Sequence, residues 1–257
     1  MSEFGSSPIP KLVFIVPYRN RELQKNFFLR QMEYVLGNIP KEDYRILFSH
    51  QCDARDFNRG AMKNIGFLVV KDLYPNDYKN ITFVFNDVDT MPYEKDYFPY
   101  ETTSGVVKHF YGFNFALGGI VSIKGSDFER IGGYPNFWGW GYEDNMLQKR
   151  VLQHKIEINR DVFLPVNHIN IIHLGDGKYR TIHRDEYNLY KKQVQDGYWT
   201  IKDLAYTIQD DNPNMINITR FTTGRDPGKV DRQFKDLTKG HPFAKRNPRM
   251  GMALGKT

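Results

Sequence analysis

The sequence predicts an α/β fold with a mostly parallel central sheet, and three observations predict it. Short apolar runs alternate with stretches of helical periodicity over roughly the first third of the chain. Two of those runs end in segments dense in Arg, Asn and Asp, namely Pro17-Tyr18-Arg19-Asn20-Arg21 and Asn86-Asp87-Val88-Asp89. The composition is globular, 40% hydrophobic and 26% charged over 257 residues, which suits one medium domain with an appendage. Alternating strands and helices imply a parallel sheet covered on both faces. Ligands collect at the carboxyl ends of such strands, where both polar segments fall.

The elements follow in order. Leu12 to Val16 is a short apolar run ending at Pro17 and reads as a buried strand. Arg21 to Leu36 carries Leu23, Phe27, Met32, Val35 and Leu36 near helical spacing, and Gly37 and Pro40 stop it. Arg45 to Ser49 reads as a second strand, Asn58 to Lys71 as a helix with Ala61, Ile65, Leu68 and Val69 on one side, and Ile81 to Phe85 as a third strand. Beyond Pro92 the chain becomes irregular and rich in Gly and Tyr. A short helix is expected at Asp127 to Ile131, and a Gly/Trp loop at Trp138 to Tyr142. Two acids open a helix from Glu143 to Gln153, and another helix is expected from Arg184 to Gln195. Residues 1–10 read as an extension of the kind a cloning vector leaves, 11–224 as the domain, and 225–257 as a basic tail. The tail, with Pro227, Gly228, Gly240, Pro242, Pro248 and Gly251, reads as loosely ordered and dispensable for chemistry.

Charge and cysteine usage narrow the classes. The net charge of +6 lies wholly in the tail, which from Arg225 onward holds nine basic and three acidic residues. The body is neutral, so no specific nucleic-acid partner is expected, and the tail suits peripheral contact with an anionic surface. Cys52 is the single cysteine, so no intrachain disulfide forms and no Cys-based zinc site exists. The chain has no apolar run of membrane-spanning length, no Walker-type loop and no G-x-G-x-x-G.

Three constellations carry chemistry. Asp87 and Asp89 stand two apart directly after an apolar strand, where one acid can face a divalent ion and the other a ribose hydroxyl. An isolated D-x-D is more often a surface turn, and the preceding strand at least reverses that preference. Trp138-Gly139-Trp140-Gly141-Tyr142-Glu143-Asp144 combines close backbone approach, indole faces and acids that can serve as a base for a hydroxyl. The bland alternative is a Trp-rich core turn before an acidic helix start. Arg19 and Arg21 at a strand end can fork onto phosphate, and Phe57 beside Arg59 can clamp a base, although solvated charges explain both equally well. His173 closes the run Ile-Asn-Ile-Ile-His; a lone His is more often structural, and its value here comes from company with Asp89.

In order, these segments resemble the beta-1,4-galactosyltransferase family, the family 7 glycosyltransferases, from about Leu12 to about Thr222. Pro-Tyr-Arg-Asn-Arg resembles the family's P-F-R-N-R. Phe57 to Phe67 resembles F-N-R-A-x-x-x-N-V-G-F, and Phe83 to Pro92 resembles F-x-F-S-D-V-D-L-I-P. Gly118-Gly119 resembles the family's G-G turn, and Trp138 to Asp144 resembles W-G-W-G-x-E-D. The resemblance implies a GT-A fold, an inverting mechanism, Mn²⁺ and a UDP-sugar donor with a carbohydrate or glycoconjugate acceptor. By position it implies Asp89 as a metal ligand with His173, and Asp87 near the ribose. Pro17, Tyr18, Arg19, Arg21, Phe57 and Arg59 would hold the uridine diphosphate. Trp140 would lie between donor and acceptor, Asp144 would be the general base, and Glu143 would help bind the acceptor.

Several features depart from the family. Asn145 and Met146 follow Asp144 where the family's acidic run continues. The family's third metal ligand falls here on Asn170 or Gly175, leaving Asn170, Asp176 or water to fill that place. Ala116 stands two places before the G-G pair, where galactose-selective relatives usually carry Tyr, which leaves room for N-acetylgalactosamine beside galactose. The family sits in the Golgi lumen with an anchor and disulfides. Their absence here suggests a cytoplasmic protein of bacterial or viral source, or a Golgi one whose anchor has been removed. The competing class is a non-catalytic sugar- or nucleotide-binding module, against which the retention of Asp144 and both acids of Asp-Val-Asp argues.

Overall fold

A computed structural model of the chain describes residues 8–175, 177–225 and 232–243. In chain order the elements are β1 (Leu12–Tyr18), α1 (Glu22–Val35), β2 (Tyr44–Gln51), α2 (Arg59–Leu73), β3 (Thr82–Asn86), β4 (Thr90–Pro92), β5 (Val106–Gly112) and β6 (Ile120–Lys124). Then come α3 (Gly125–Ile131), α4 (Glu143–Gln153), β7 (Glu157–Asn159), β8 (Leu164–Pro165), β9 (Ile171–His173), β10 (Tyr179–His183), α5 (Arg184–Lys191), β11 (Lys202–Gln209), β12 (Asn212–Thr222) and β13 (Arg232–Asp236). The main sheet runs β11-β12-β2-β1-β3-β6-β5-β7, with β8 also on β5.

The sheet is mixed and mostly parallel. β12, β2, β1 and β3 run parallel, as the alternation of the first third requires. β6 is antiparallel to both β3 and β5. No helix separates β3 from β5 in sequence, and the chain turns straight back after β5 through 113–119, so β6 must run the other way. Alternate residues of β1 enter different cores. Val13 and Ile15 pack with Ala61, Ile65 and Val69 of α2, while Phe14 and Val16 pack with Phe28 and Met32 of α1. A strand buried on both faces reads as an unbroken apolar run, which is why β1 and β3 were legible. Phe28 is fully buried edge-on to Phe48, and Phe28→Ala is expected to cost about 3–5 kcal/mol.

The tail differs from expectation where it is described. β13 pairs antiparallel with β10, and Arg232 bonds Asp56 at 3.0 Å. Phe243 is buried against Tyr142 and Tyr187, at 5.1 and 4.9 Å between centroids. Arg225 donates to Asp196 (2.8 Å), Glu186 (3.2 Å) and the Asn136 carbonyl (3.2 Å). Residues 225 and 232–243 therefore pack onto the body and are not a loose appendage; the remaining basic residues of the tail lie outside the described residues. The helix expected to reach Gln195 ends at Lys191.

Candidate active site

The site is built around α2. Asn58 caps its N-terminus by accepting from the Ala61 N–H at 2.9 Å, and its amide donates to the Asn136 carbonyl. Asn64 exchanges bonds with the backbone of Tyr134 and donates to Asn136. These asparagines tie the helix to the segment leading into the Trp/Gly loop, so Arg59 arrives at the loop's acids in a fixed position.

Arg59 joins the two acidic motifs. Its Nε and one terminal nitrogen fork onto Asp87 at 3.0 and 2.7 Å, and the other terminal nitrogen reaches Glu143 at 2.6 Å and Asp144 at 2.8 Å. Burial opposes the charge of Arg59, but Asp144, Asp87 and Glu143 hold its pKa well above the ordinary value. Lys63, four residues on and on the same helix face, donates to the other Asp144 oxygen at 3.3 Å. Burial works against ionisation of Asp144, yet Arg59 and Lys63 outweigh it and hold the carboxyl below its usual range. The sequence reading missed Lys63. The signal was a lysine at i+4 from Arg59 among the apolar residues Ala61, Met62 and Ile65.

The Gly118-Gly119 turn lies directly against this carboxylate. A Cβ on Gly118 would meet Asp144 at 2.9 Å from its Cγ, and Leu117 N–H donates to the Asp144 carbonyl at 3.1 Å. Gly119 has φ +73° and accepts from the Asp87 N–H, so only glycine follows this path without strain. His109, also missed, is fully buried beneath the turn. Its Nε2 donates to the carbonyls of Tyr111 and Gly118, both at 3.0 Å, and its Nδ1 accepts from Arg160. Burial and the neighbouring Arg160 push its pKa down to about 4, so the ring is neutral.

The second acid of Asp-Val-Asp faces elsewhere. β4 pairs with β9, and the register sets Thr90 opposite His173. The Thr90 hydroxyl donates to Asp89 at 3.0 Å and lies 3.3 Å from His173 Nδ1, and Leu174 N–H donates to the Asp89 carbonyl. Burial and the nearby Asp87 raise the Asp89 pKa, with His173, Thr90 and Arg21 opposing. A half-buried carboxylate beside an imidazole fits a divalent cation that takes mixed oxygen and nitrogen ligands. Among the described residues, no group of three or more His, Cys, Asp or Glu is placed to hold a metal. Asn170 is turned away, its amide donating to Tyr97 at 3.1 Å, and Asp176 lies outside the described residues.

The donor-side candidates gather at the same sheet end. Pro17 and Tyr18 close β1, the Tyr18 ring edge-on to His50 and its hydroxyl donating to Glu22. Arg19 donates to the Arg55 carbonyl. Arg21 sits at the start of α1, its pKa lowered by burial and raised by Asp89. Phe57 packs on the core, and its carbonyl accepts from Gly139. The two tryptophans divide. Trp138 is core, stacked on Phe221 and bonded to the Arg225 carbonyl, whereas Trp140 is 39% exposed at the site. Ala116 is buried, while Phe113 and Phe115 stack on each other at 5.1 Å and are more than half exposed.

Comparison with known proteins identifies relatives of the chain and of its fold. Residues 6–102 match the family profile described as the N-terminal region of glycosyl transferase group 7, and residues 102–173 the one described as the N-terminal domain of galactosyltransferase. Beta-1,4-galactosyltransferase 4 of Cricetulus griseus is 31% identical over 163 residues, 59% of this chain and 45% of the relative. The chain thus spans about half the length of that relative. The xylosylprotein 4-beta-galactosyltransferase of Caenorhabditis elegans is 29% identical over 213 residues, 77% of this chain and 71% of the relative. The catalytic domain of Drosophila beta1,4-galactosyltransferase 7 with xylobiose superposes with a TM-score of 0.64 at 21% identity, covering 82% of this chain and 94% of that one. A point mutant of it, solved with manganese, UDP-Gal and xylobiose, gives a TM-score of 0.61 at 20% identity. The fold is therefore GT-A. These relatives also correct the expected setting. They are animal galactosyltransferases, of the group whose resemblance carried a Golgi setting, and not bacterial or viral cytoplasmic proteins. An absent anchor or disulfide was too weak a guide to compartment.

Proposed function

The chain belongs to the family 7 galactosyltransferases, and from that premise we propose that it is an inverting glycosyltransferase moving galactose or N-acetylgalactosamine from a UDP-sugar to a sugar hydroxyl. The observation that carries the reading is the convergence on Arg59 of Asp87, from the strand end, with Glu143 and Asp144, from the Trp/Gly loop. Two motifs that read as donor and acceptor chemistry meet through one guanidinium.

The residues divide the work as follows. Asp144, held ionised by Arg59 and Lys63, takes the proton of the acceptor hydroxyl as its oxygen attacks the anomeric carbon. The new bond forms on the face opposite the diphosphate, which is what inversion requires. Glu143 accepts from the Gly141 N–H at 3.2 Å and so braces the loop that holds the acceptor. Trp140 offers the exposed indole face between the two substrates and helps exclude water. Arg19, Arg21, Tyr18 and Phe57 hold the nucleotide side, with Asp87 near the ribose. Asp89 and His173 would hold Mn²⁺, which supplies charge stabilisation for the departing diphosphate. The manganese and UDP-Gal in the fly relative's structure support that choice.

The donor preference rests on Ala116. A methyl at 116, with Phe113 and Phe115 more than half exposed and stacked on each other, supports a donor site that takes an N-acetyl group at C2. UDP release with a panel of UDP-sugars and acceptors, xylobiose among them, tests the function. Mn²⁺-dependent release that Asp144→Asn abolishes, by about 10²–10⁴ in rate, is expected, with N-acetylgalactosamine used at least comparably to galactose and Ala116→Tyr shifting the ratio toward galactose. Full activity in excess chelator, or near wild-type turnover of Asp144→Asn, would refute it.

A further inference from the structure

Lys63 is a buried amine that touches no substrate in the reaction above and acts there only through Asp144. Its side chain is 1% exposed, deeper than Arg59 or any of the three carboxylates near it. It lies in a helix turn whose neighbours Ala61, Met62 and Ile65 are core, where an apolar residue of similar length would pack at lower cost. The ammonium rests over the Tyr134 ring at 4.4 Å, donates to Asp144 at 3.3 Å and lies 3.9 Å from Asp87. Arg59 has a different task. It is spread over three carboxylates, with its fork committed to Asp87 and only one nitrogen shared between Glu143 and Asp144.

We propose that Lys63 is a positioning residue for Asp144, gripping from below the carboxylate oxygen that Arg59 does not reach and so fixing the orientation and negative charge of the base. The proposal rests on the reading of Asp144 as the general base. The groups facing Asp144 are Arg59 and Lys63 from α2, Asp87 after β3, Glu143 beside it on α4, the buried Tyr134 hydroxyl, and His109 from β5. Of these, Arg59 and Lys63 are the two that donate to the Asp144 carboxylate, one to each oxygen. Burial and then Arg59 lower the proton affinity of Lys63 below its ordinary value, and Asp144, Asp87 and Glu143 oppose that shift without cancelling it. Without it, three carboxylates share one guanidinium. Asp144 then gains proton affinity and becomes free to turn between Arg59 and solvent.

The test is Lys63→Met, which keeps length and apolar packing and removes the charge. kcat and KM are measured from pH 5 to 9 with UDP-galactose and xylobiose, or with whichever acceptor of the panel above gives the fastest UDP release. The acid limb of kcat is expected to move up by about one pH unit or more. Near-neutral turnover should fall about tenfold, with donor KM within about threefold of wild type. Lys63→Arg, which keeps the charge, should restore the limb to within about half a unit. Lys63→Gln, which keeps a donor without charge, should move it as Met does. If Met proves too disruptive to fold, Gln and Arg make the same comparison. A uniform loss of kcat with an unmoved limb in the uncharged variants would overturn the proposal, because it would mark a packing role alone. So would wild-type kinetics. Asp144→Asn run alongside separates the two ideas. Retained turnover there removes the base itself, whereas a dead Asp144→Asn with an unmoved limb in the lysine variants overturns only the role of Lys63.

Discussion

Acidification is expected to weaken the fold through His109, and the size of the effect follows from its surroundings. The ring is fully buried, donates from Nε2 to two carbonyls and receives the Arg160 guanidinium at Nδ1, 3.0 Å away. Protonation would place a second proton where Arg160 already donates, at a ring closed off from bulk solvent. The folded pKa of about 4 lies below the ordinary 6.5. Between those values the unfolded chain binds a proton that the folded chain refuses. Stability from this group is thus fully present above about pH 6.5 and is lost as pH falls toward 4, by about 1.4 kcal/mol per unit and roughly 3 kcal/mol in all. The assay is urea unfolding at half-unit steps from pH 7.5 to 4 for wild type and His109→Gln. Carboxylates contribute to both curves, so the difference isolates the histidine. Gln should cost stability at pH 7.5, where the imidazole's bonds are lost, and the gap between the two proteins should close by roughly 3 kcal/mol toward pH 4. Parallel curves would refute the reasoning, since they would mean that the ring accepts a proton in the folded state as readily as in water.

Three further expectations follow from the site and its supports. Arg59→Met leaves Asp87, Glu143 and Asp144 facing Lys63 alone and should cost about 3–5 kcal/mol in chemical denaturation, a loss that partly recovers at low pH as the carboxylates protonate; an unchanged midpoint would show that the cluster is solvated. Gly118→Ala drives a methyl into the Asp144 carboxylate and should reduce turnover about 10²-fold while donor binding, measured calorimetrically, stays near wild type. Phe243→Ala removes a buried ring from the Tyr142 and Tyr187 cluster and should lower stability by about 3–5 kcal/mol in thermal unfolding, whereas a dispensable tail would give no change.

The elements that were legible are those whose burial is written in local pattern. β1, α2 and β3 carry two-sided apolar runs or a helical stripe, and α4 begins at Glu143 and ends at Gln153 as its opening acids indicate. β5, β6 and the β11–β12 hairpin were not legible. Their partners are distant in sequence, and residues such as Lys108 and His109 break the alternation because they are satisfied by bonds made only in the folded state. The tail misled for a related reason. Gly and Pro content reports local freedom, but Phe243 and Arg225 are held by tertiary contacts that composition does not encode. The acids of the site were found because their spacing is a motif. Lys63 was not, because its meaning depends on three carboxylates that come from residues 87, 143 and 144.

Asp-Val-Asp shows how two identical side chains take different roles within three residues. Val88 between them is buried and pins the segment, so the flanking acids diverge. Asp87 turns onto the Arg59 fork, sharing positive charge with Glu143 and Asp144. Asp89 turns onto the β4–β9 ladder, where Thr90 and His173 flank it and burial together with Asp87 raises its proton affinity. Asp87 is bonded directly to a guanidinium, whereas Asp89 has Arg21, Arg180 and His173 near it and still has its proton affinity raised by burial and Asp87. A cation at Asp87 would compete with a guanidinium already bonded at 2.7 Å, which is why the proposed metal role falls to Asp89. On the proposed reading the metal-side acid therefore stands apart from the Arg59 cluster. That is also why Asp89→Asn should weaken Mn²⁺ binding while leaving the Arg59 cluster and the stability it confers in place.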